Sequence, residues 1–242
     1  MSTAEHYERL LADCYSWMLG DFEARVERER AFLAAHGVVP GGARVAVDLG
    51  AGSGHQAVAL ARLGWSVRAI DFSAKLIAEL RRRAAGLEVT AIEDDLRRFP
   101  AHLSGAAGAI VCLGDTLTHL DSADEVRALF AGARRCLSPG GALVLTFRDL
   151  SRALEGSERF IPVRSDDDTI LTCFLEYLPA TVRVHDLLYR RRDGAWGLTA
   201  SAYQKLRLSR SQVEAWLTEA GFTLPHTAST RGLVELVARV PA

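Results

Sequence analysis

Acidic residues and glycines fall together in one part of this sequence. Asp48 is followed by Gly50, Gly52 and Gly54. Asp71 comes about twenty residues later, and the pair Asp94–Asp95 after that. Each group follows an apolar run: "VAVDLGAGSGHQAVALA", "VRAIDFS", "EVTAIEDDL". Closely spaced glycines after a strand let backbone N–H groups approach a ligand at a helix N-terminus. An acid at the end of the next strand is placed to accept from ribose hydroxyls. Gly52-Ser53-Gly54-His55-Gln56-Ala57 fits GxGxxA, the dinucleotide fingerprint. The loop by itself therefore specifies an adenosine cofactor, a nicotinamide dinucleotide included. Asp48 argues for something else, because an acid at the loop entrance repels a pyrophosphate while tolerating a sulfonium and an amino group. In the acidic turn Glu93–Leu96, an Asp can accept from an adenine amino group while Leu96 packs on the ring.

The pattern around these residues predicts the elements that carry them. Residues 4–19 and 21–36 read as helices. Strands at 44–49, 66–70, 87–92, 109–113 and 142–147 alternate with helices at 53–63, 73–84 and 122–136. Such a rhythm means crossover units and a parallel sheet. Ser122 and Glu125 suggest a capping box, and Ser138–Gly141 a stop. Residues 159–208 change to period-two runs, with a hairpin turn at Asp193-Gly194. They predict an antiparallel meander appended to the sheet. A helix over 209–220, with Ser209 and Gln212 as a second capping box, and a closing hairpin complete the chain. The fold class is α/β, a mostly parallel Rossmann-like sheet with a closing antiparallel hairpin, N-terminal helices and a meander insertion. Residues 1–39 form an N-terminal helical lid, 40–150 the cofactor-binding core, 151–208 a substrate-side insertion, and 209–242 the part that completes the sheet.

These motifs resemble those of the class I S-adenosylmethionine-dependent methyltransferases. "VDLGAGSG" is similar to their glycine motif, "AIDFS" to their ribose-binding acid, "EDDLRRFP" to their adenine turn and "CLSPGGALVLTF" to their post-helix strand. The resemblance implies S-adenosyl-L-methionine as cofactor and S-adenosyl-L-homocysteine as product. It implies cofactor contacts from Asp48, Gly50, Ala51, Gly52, Gly54, Asp71, Phe72, Asp95 and Leu96. Asp95 is preferred to Asp94 because it lies five residues before Pro100. "MLGDFEAR", "VCLGDTLTHL" and "FRDLSRAL" look like segments of the glycine N-methyltransferase-like branch. That likeness implies Arg25 on the cofactor's methionine carboxylate, Tyr15, Leu113 and His119 beside the cofactor, and Arg148 on a substrate carboxylate. Asp115 stands where that branch has an Asn, and "IPVRSD" replaces a tyrosine-bearing segment. The expected acceptor is thus a small molecule other than glycine, methylated on N or O. Asp115 and His119 are the candidate proton acceptors. Asp115, Arg148, Tyr189 and Tyr203 are the candidate substrate contacts.

Composition bounds the rest. The 242 residues are 49% hydrophobic and 24% charged, with a formal net charge of −1. This is not the basic balance of a nucleic-acid binder, so no nucleic-acid partner is expected. The four cysteines form no CxxC and sit beside no zinc-spaced histidine, so buried thiols, no metal and a cytoplasmic setting are expected. No window has the length of a membrane span. A monomer and a homo-oligomer both fit. A non-catalytic S-adenosylmethionine binder and an NAD(P)-dependent oxidoreductase are the alternatives.

Overall fold

The computed structural model describes residues 3–230 and 232–242. Met1 and Ser2, within the segment expected to form a lid, and Arg231 lie outside the described residues. The central sheet has seven strands: β1 (Val45–Leu49), β2 (Ser66–Asp71), β3 (Val89–Glu93), β4 (Ala107–Cys112), β5 (Leu137–Arg148), β10 (Thr223–Thr230) and β11 (Leu233–Arg239). Their order is β10-β11-β5-β4-β1-β2-β3. The first five run parallel, whereas β11 pairs antiparallel with both β5 and β10. The strand order reverses between β1 and β4, and the crevice beyond their carboxyl ends is where an open sheet of this kind binds ligands.

Helices cover both faces because β1, β4 and β5 are apolar on both sides. One layer holds α3 (Phe22–Ala35), α4 (His55–Arg62) and α5 (Ala74–Arg83), packed on Ala46, Val67, Ala109 and Val144. The other holds α6 (Ala123–Cys136) and α7 (Arg210–Glu219), packed on Val47, Ile110, Leu143 and Leu236. The Ser209 capping box is present. At Ser122 only half of one forms. Its hydroxyl accepts from the Glu125 amide, but the Glu125 carboxylate turns to the Asp121 amide instead.

The meander is a separate sheet of four antiparallel strands and not an extension of the first. It comprises β6 (Phe160–Ser165), β7 (Thr169–Tyr177), β8 (Thr181–Arg192) and β9 (Ala195–Leu206). Asp193 (φ 51°) and Gly194 (φ 79°) make the expected two-residue turn between β8 and β9. Strand β5 begins earlier than expected. Leu137 already pairs with Ala107, and Ser138–Gly141 bulges before Ala142 resumes the ladder opposite Ala109.

The first predicted helix is broken. Helix α1 (Thr3–His6) runs into one π-helical turn, Tyr7–Leu11, and α2 (Tyr15–Leu19) follows after a turn. The buried side chain of His6 is tied to the meander, at Asp186 and Ser201. Leu10 and Leu11 pack on the same sheet, while Tyr7 meets Phe72 and His119 on the other side.

Candidate active site

The glycine loop is shaped by contacts that exclude side chains. Gly50 has φ +72°, and a Cβ there would overlap the Thr116 side chain. Gly54, the left-handed N-cap of α4, has φ +100°, and a Cβ would lie 2.9 Å from Leu80 Cγ. The loop is fastened to β2. Gly50 and Ala51 donate to the Ile70 carbonyl, and Gly52 donates to Asp71 Oδ2 at 2.8 Å. Asp71 Oδ1 accepts from the Ser73 amide at 2.9 Å. Burial raises the Asp71 carboxyl above its ordinary range, and these amides oppose the rise.

A cavity of about 270 Å³ opens above this loop. Gly50, Asp71 and Phe72 form its floor and Asp95 and Leu96 one wall, with Thr116, His119 and Leu120 opposite and Tyr7 and Tyr15 as the roof. Phe72 is 39% exposed and faces into this cavity. Asp95 caps the 3₁₀ turn Leu96–His102, and its bond to Arg97 keeps its carboxyl below the ordinary range. Asp94 is turned away, bonded to His102 at 2.8 Å.

On β1, α3 and α4 several polar groups are buried without partners. Asp48 is 1% exposed. Neither of its oxygens closes a hydrogen bond, and the Ala57 amide offers only a weak contact. Burial, with Asp71 and Glu29 nearby, raises its carboxyl well above the ordinary range. Arg25 Nε and His55 Nε2 are also buried and unpartnered. Tyr15 lies against Gly52, and burial pushes its hydroxyl up to about 12. Ala51 and Leu113 are buried beneath the loop.

A second group lies between the crevice and the inner face of the meander. The 3₁₀ turn Thr116–His119 follows Asp115, which adopts φ +85°. The His119 ring stacks on Tyr203 at 5.4 Å and meets Tyr7 edge-on at 5.9 Å. His119 Nδ1 is buried with no partner. Burial and the Lys205 charge lower its imidazole to about 3, so it is neutral. Asp115 is fully engaged: it accepts from Lys205 Nζ at 2.5 Å, the Arg148 amide at 2.9 Å and Thr118 Oγ1 at 3.1 Å. This carboxylate holds a cation and is a poor candidate base. Arg148 joins Asp115 through its backbone only, and its side chain is exposed at the end of β5. Tyr189 is out of reach. It pairs with Leu198 on the outer face of the meander, whereas Tyr203 pairs with Val184 on the inner face.

Three contributors escaped the sequence reading: Tyr7, Lys205 and the His6–Asp186 pair. Lys205 was within reach of it, because strand alternation puts Ser201, Tyr203 and Lys205 on one face. His6 and Asp186 carry no local signal, since 180 residues separate them.

Comparison with known proteins agrees with this geometry. Residues 46–141 match a methyltransferase-domain family model. The CcbJ methyltransferase from Streptomyces caelestis superimposes over 98% of both chains, with a TM-score of 0.79 at 21% identity. Residues 46–141 form a methyltransferase domain, and the chain has the fold of the class I S-adenosylmethionine-dependent methyltransferases. CalS10, an amino pentose methyltransferase from Micromonospora echinaspora solved with its cofactor bound, covers 94% of this methyltransferase and 95% of its own chain, with a TM-score of 0.73 at 19% identity. The glycine/sarcosine N-methyltransferase of Parasynechococcus marenigrum (strain WH8102) is 29% identical over 63% of this chain. The match spans 55% of that enzyme, so about half of its length.

The residues present fit the methyl donor of this class. Its ribose needs acceptors, and Asp71 lies on the cavity floor. Its amino-acid end carries an ammonium and a carboxylate, and the unpartnered groups nearby are an acid, Asp48, and a guanidinium, Arg25. A dinucleotide pyrophosphate would meet the buried acid Asp48 below the loop.

Proposed function

We propose that this methyltransferase methylates an amine nitrogen of a small molecule. The observation that carries the reading is His119, a neutral buried imidazole with one nitrogen open, held between Tyr203 and Tyr7. Bound S-adenosylmethionine supplies a methyl group on a sulfonium, which is already a good electrophile. The protein must therefore bring a nucleophile to ~3–3.5 Å in line, and positioning alone lowers the barrier by several kcal/mol. A neutral amine attacks through its lone pair before losing a proton, so an accepting imidazole that orients its N–H suffices. An aliphatic hydroxyl needs a stronger base than an imidazole lowered to about 3. Asp71 would hold the ribose, Asp95 and Leu96 the adenine, and Arg25 the methionine carboxylate. Residues 1–39 would act as the lid. Glycine/sarcosine and amino pentose methyltransferases among the relatives support an amine acceptor.

The test is transfer of a labelled methyl group to paired compounds, amino sugars and amino acids beside their hydroxyl isosteres. Product from the amines only is expected. His119→Ala should abolish transfer while the protein stays folded and still binds S-adenosylhomocysteine. Transfer to hydroxyl compounds with the amines inert would overturn the amine reading.

A further inference from the structure

The buried acid of β1 has no counter-charge of its own. Asp48 shares the α3/α4 face of the sheet with Ala46, beneath the glycine loop. The groups acting on it are Asp71 from β2 and Glu29 from α3, both acidic, and the Ala57 amide from α4. Tyr15 from α2 and Cys112 from β4 feel its charge in turn and offer none to offset it. No hydrogen bond joins Asp48 to Arg25 on α3: both Asp48 oxygens and Arg25 Nε are buried without a partner. An isolated carboxylate in such a place is far costlier than the neutral acid. Cofactor binding changes that balance, because a sulfonium and an α-ammonium arrive together at this end of the site.

We propose that Asp48 is a proton-linked counter-ion: it is a neutral acid in the free protein, and S-adenosylmethionine binding drives its proton to solvent, leaving a carboxylate against the incoming positive charge. The inference rests on the cofactor assignment above. It accounts for a buried acid that an uncharged residue could otherwise replace. The step balances simply: the O–H bond of the Asp48 carboxyl breaks, buffer takes the proton, and the ligand's fixed charge compensates the anion. Affinity for S-adenosylmethionine should fall about tenfold for each unit by which pH is lowered, wherever the free protein holds this proton and the complex does not.

The experiment is calorimetric titration at about pH 6.5 in two buffers of different ionisation enthalpy. At that pH an α-amino group, with a pKa of about 7.7–8.0, is fully protonated and contributes little. S-adenosylmethionine should release a substantial fraction of one proton from the wild-type protein. 5′-Methylthioadenosine, which lacks the ammonium, the carboxylate and the sulfonium, should release none. In Asp48→Asn, a near-isosteric mimic of the neutral acid, release should vanish. Its affinity should be at least tenfold weaker than wild type at alkaline pH, with the two converging as pH falls. Equal proton release from the wild type with both ligands, or unchanged release from Asp48→Asn, would overturn the proposal. The two-ligand comparison decides the matter even if the variant does not fold. Binding of S-adenosylmethionine without proton release sinks only this inference. Failure of S-adenosylmethionine, S-adenosylhomocysteine and 5′-methylthioadenosine alike to bind the wild type sinks the cofactor assignment.

Discussion

Asp71 has two duties, and a substitution there should expose both. Its carboxylate receives the Gly52 and Ser73 amides, so it shapes the loop that it also helps to equip for a ligand. Hydrogen bonds to a charged group contribute about 1.5–3 kcal/mol. Asp71→Ala should weaken S-adenosylhomocysteine binding about tenfold to a hundredfold while the protein stays folded. Equilibrium dialysis against far-ultraviolet dichroism checks this, and unchanged affinity would remove Asp71 from the ribose site. Spacing and residue type sufficed to single out this acid. His119 is different, since its position was legible but its state was not. A neutral imidazole follows from burial and from Lys205, a residue 86 positions away that sequence proximity does not connect to it. The unfolded chain takes up a proton on this side chain near pH 6.5, whereas the folded chain does so only near pH 3. Stability should therefore drop as pH falls through that window. His119→Gln should flatten the slope by about one proton, measured as urea midpoints from pH 7 to about pH 4.

Among the elements, the glycine loop and its helix were the easiest to read, because the strand that feeds them is apolar and the turn admits only small residues. Gly50→Ala must hold a Cβ at φ +72° against Thr116. Left-handed backbone at a non-glycine residue costs of the order of 1–3 kcal/mol before any overlap. The expected result is a melting temperature lower by several degrees and no further shift with S-adenosylhomocysteine. The α7 cap gives a plainer test. Ser209→Ala removes the acceptor of the Gln212 amide and should cost about 1 kcal/mol, a shift of roughly 2–4 °C. The N-terminal segment was the least legible element. Residues 4–19 read as one helix, and the contacts of His6 with Asp186 and Ser201, distant in sequence, carry no local signal for the π-helical turn that interrupts it.

For the molecule as a whole, the pairing of a parallel core with an antiparallel insertion was readable from the change of period at residue 159. That the insertion closes on itself as a second sheet was not, because periodicity sets a strand's faces and not its neighbours. The two sheets meet through the N-terminal segment and through Lys205–Asp115. His6→Ala would leave Asp186 buried with one partner fewer and loosen the segment that roofs the cavity. Release of bound S-adenosylhomocysteine should then be at least several-fold faster in stopped-flow displacement, and an unchanged rate would mean that this segment does not gate the site. Thermal unfolding with S-adenosylhomocysteine, NAD and NADP in parallel tests the cofactor at the same level. A ligand at 100 times its Kd stabilises by about 2.7 kcal/mol, and only the adenosyl-sulfur compound should do so. Among the described residues no helix is long and apolar enough to cross a membrane.

The division of labour between the two sheets also bears on how such a protein can acquire new chemistry. The donor side is written in backbone geometry, in turns and amides that tolerate almost no exchange. Under the proposed function the acceptor side would be written on β9, where Ser201, Tyr203 and Lys205 reach inward on alternate positions and their neighbours Ala202 and Gln204 do not. Alternate residues on a single strand can be redrawn without disturbing the ladder that holds them. Retargeting the enzyme to another acceptor would then begin at Tyr203, since Ser201 and Lys205 also tie the meander to His6 and Asp115.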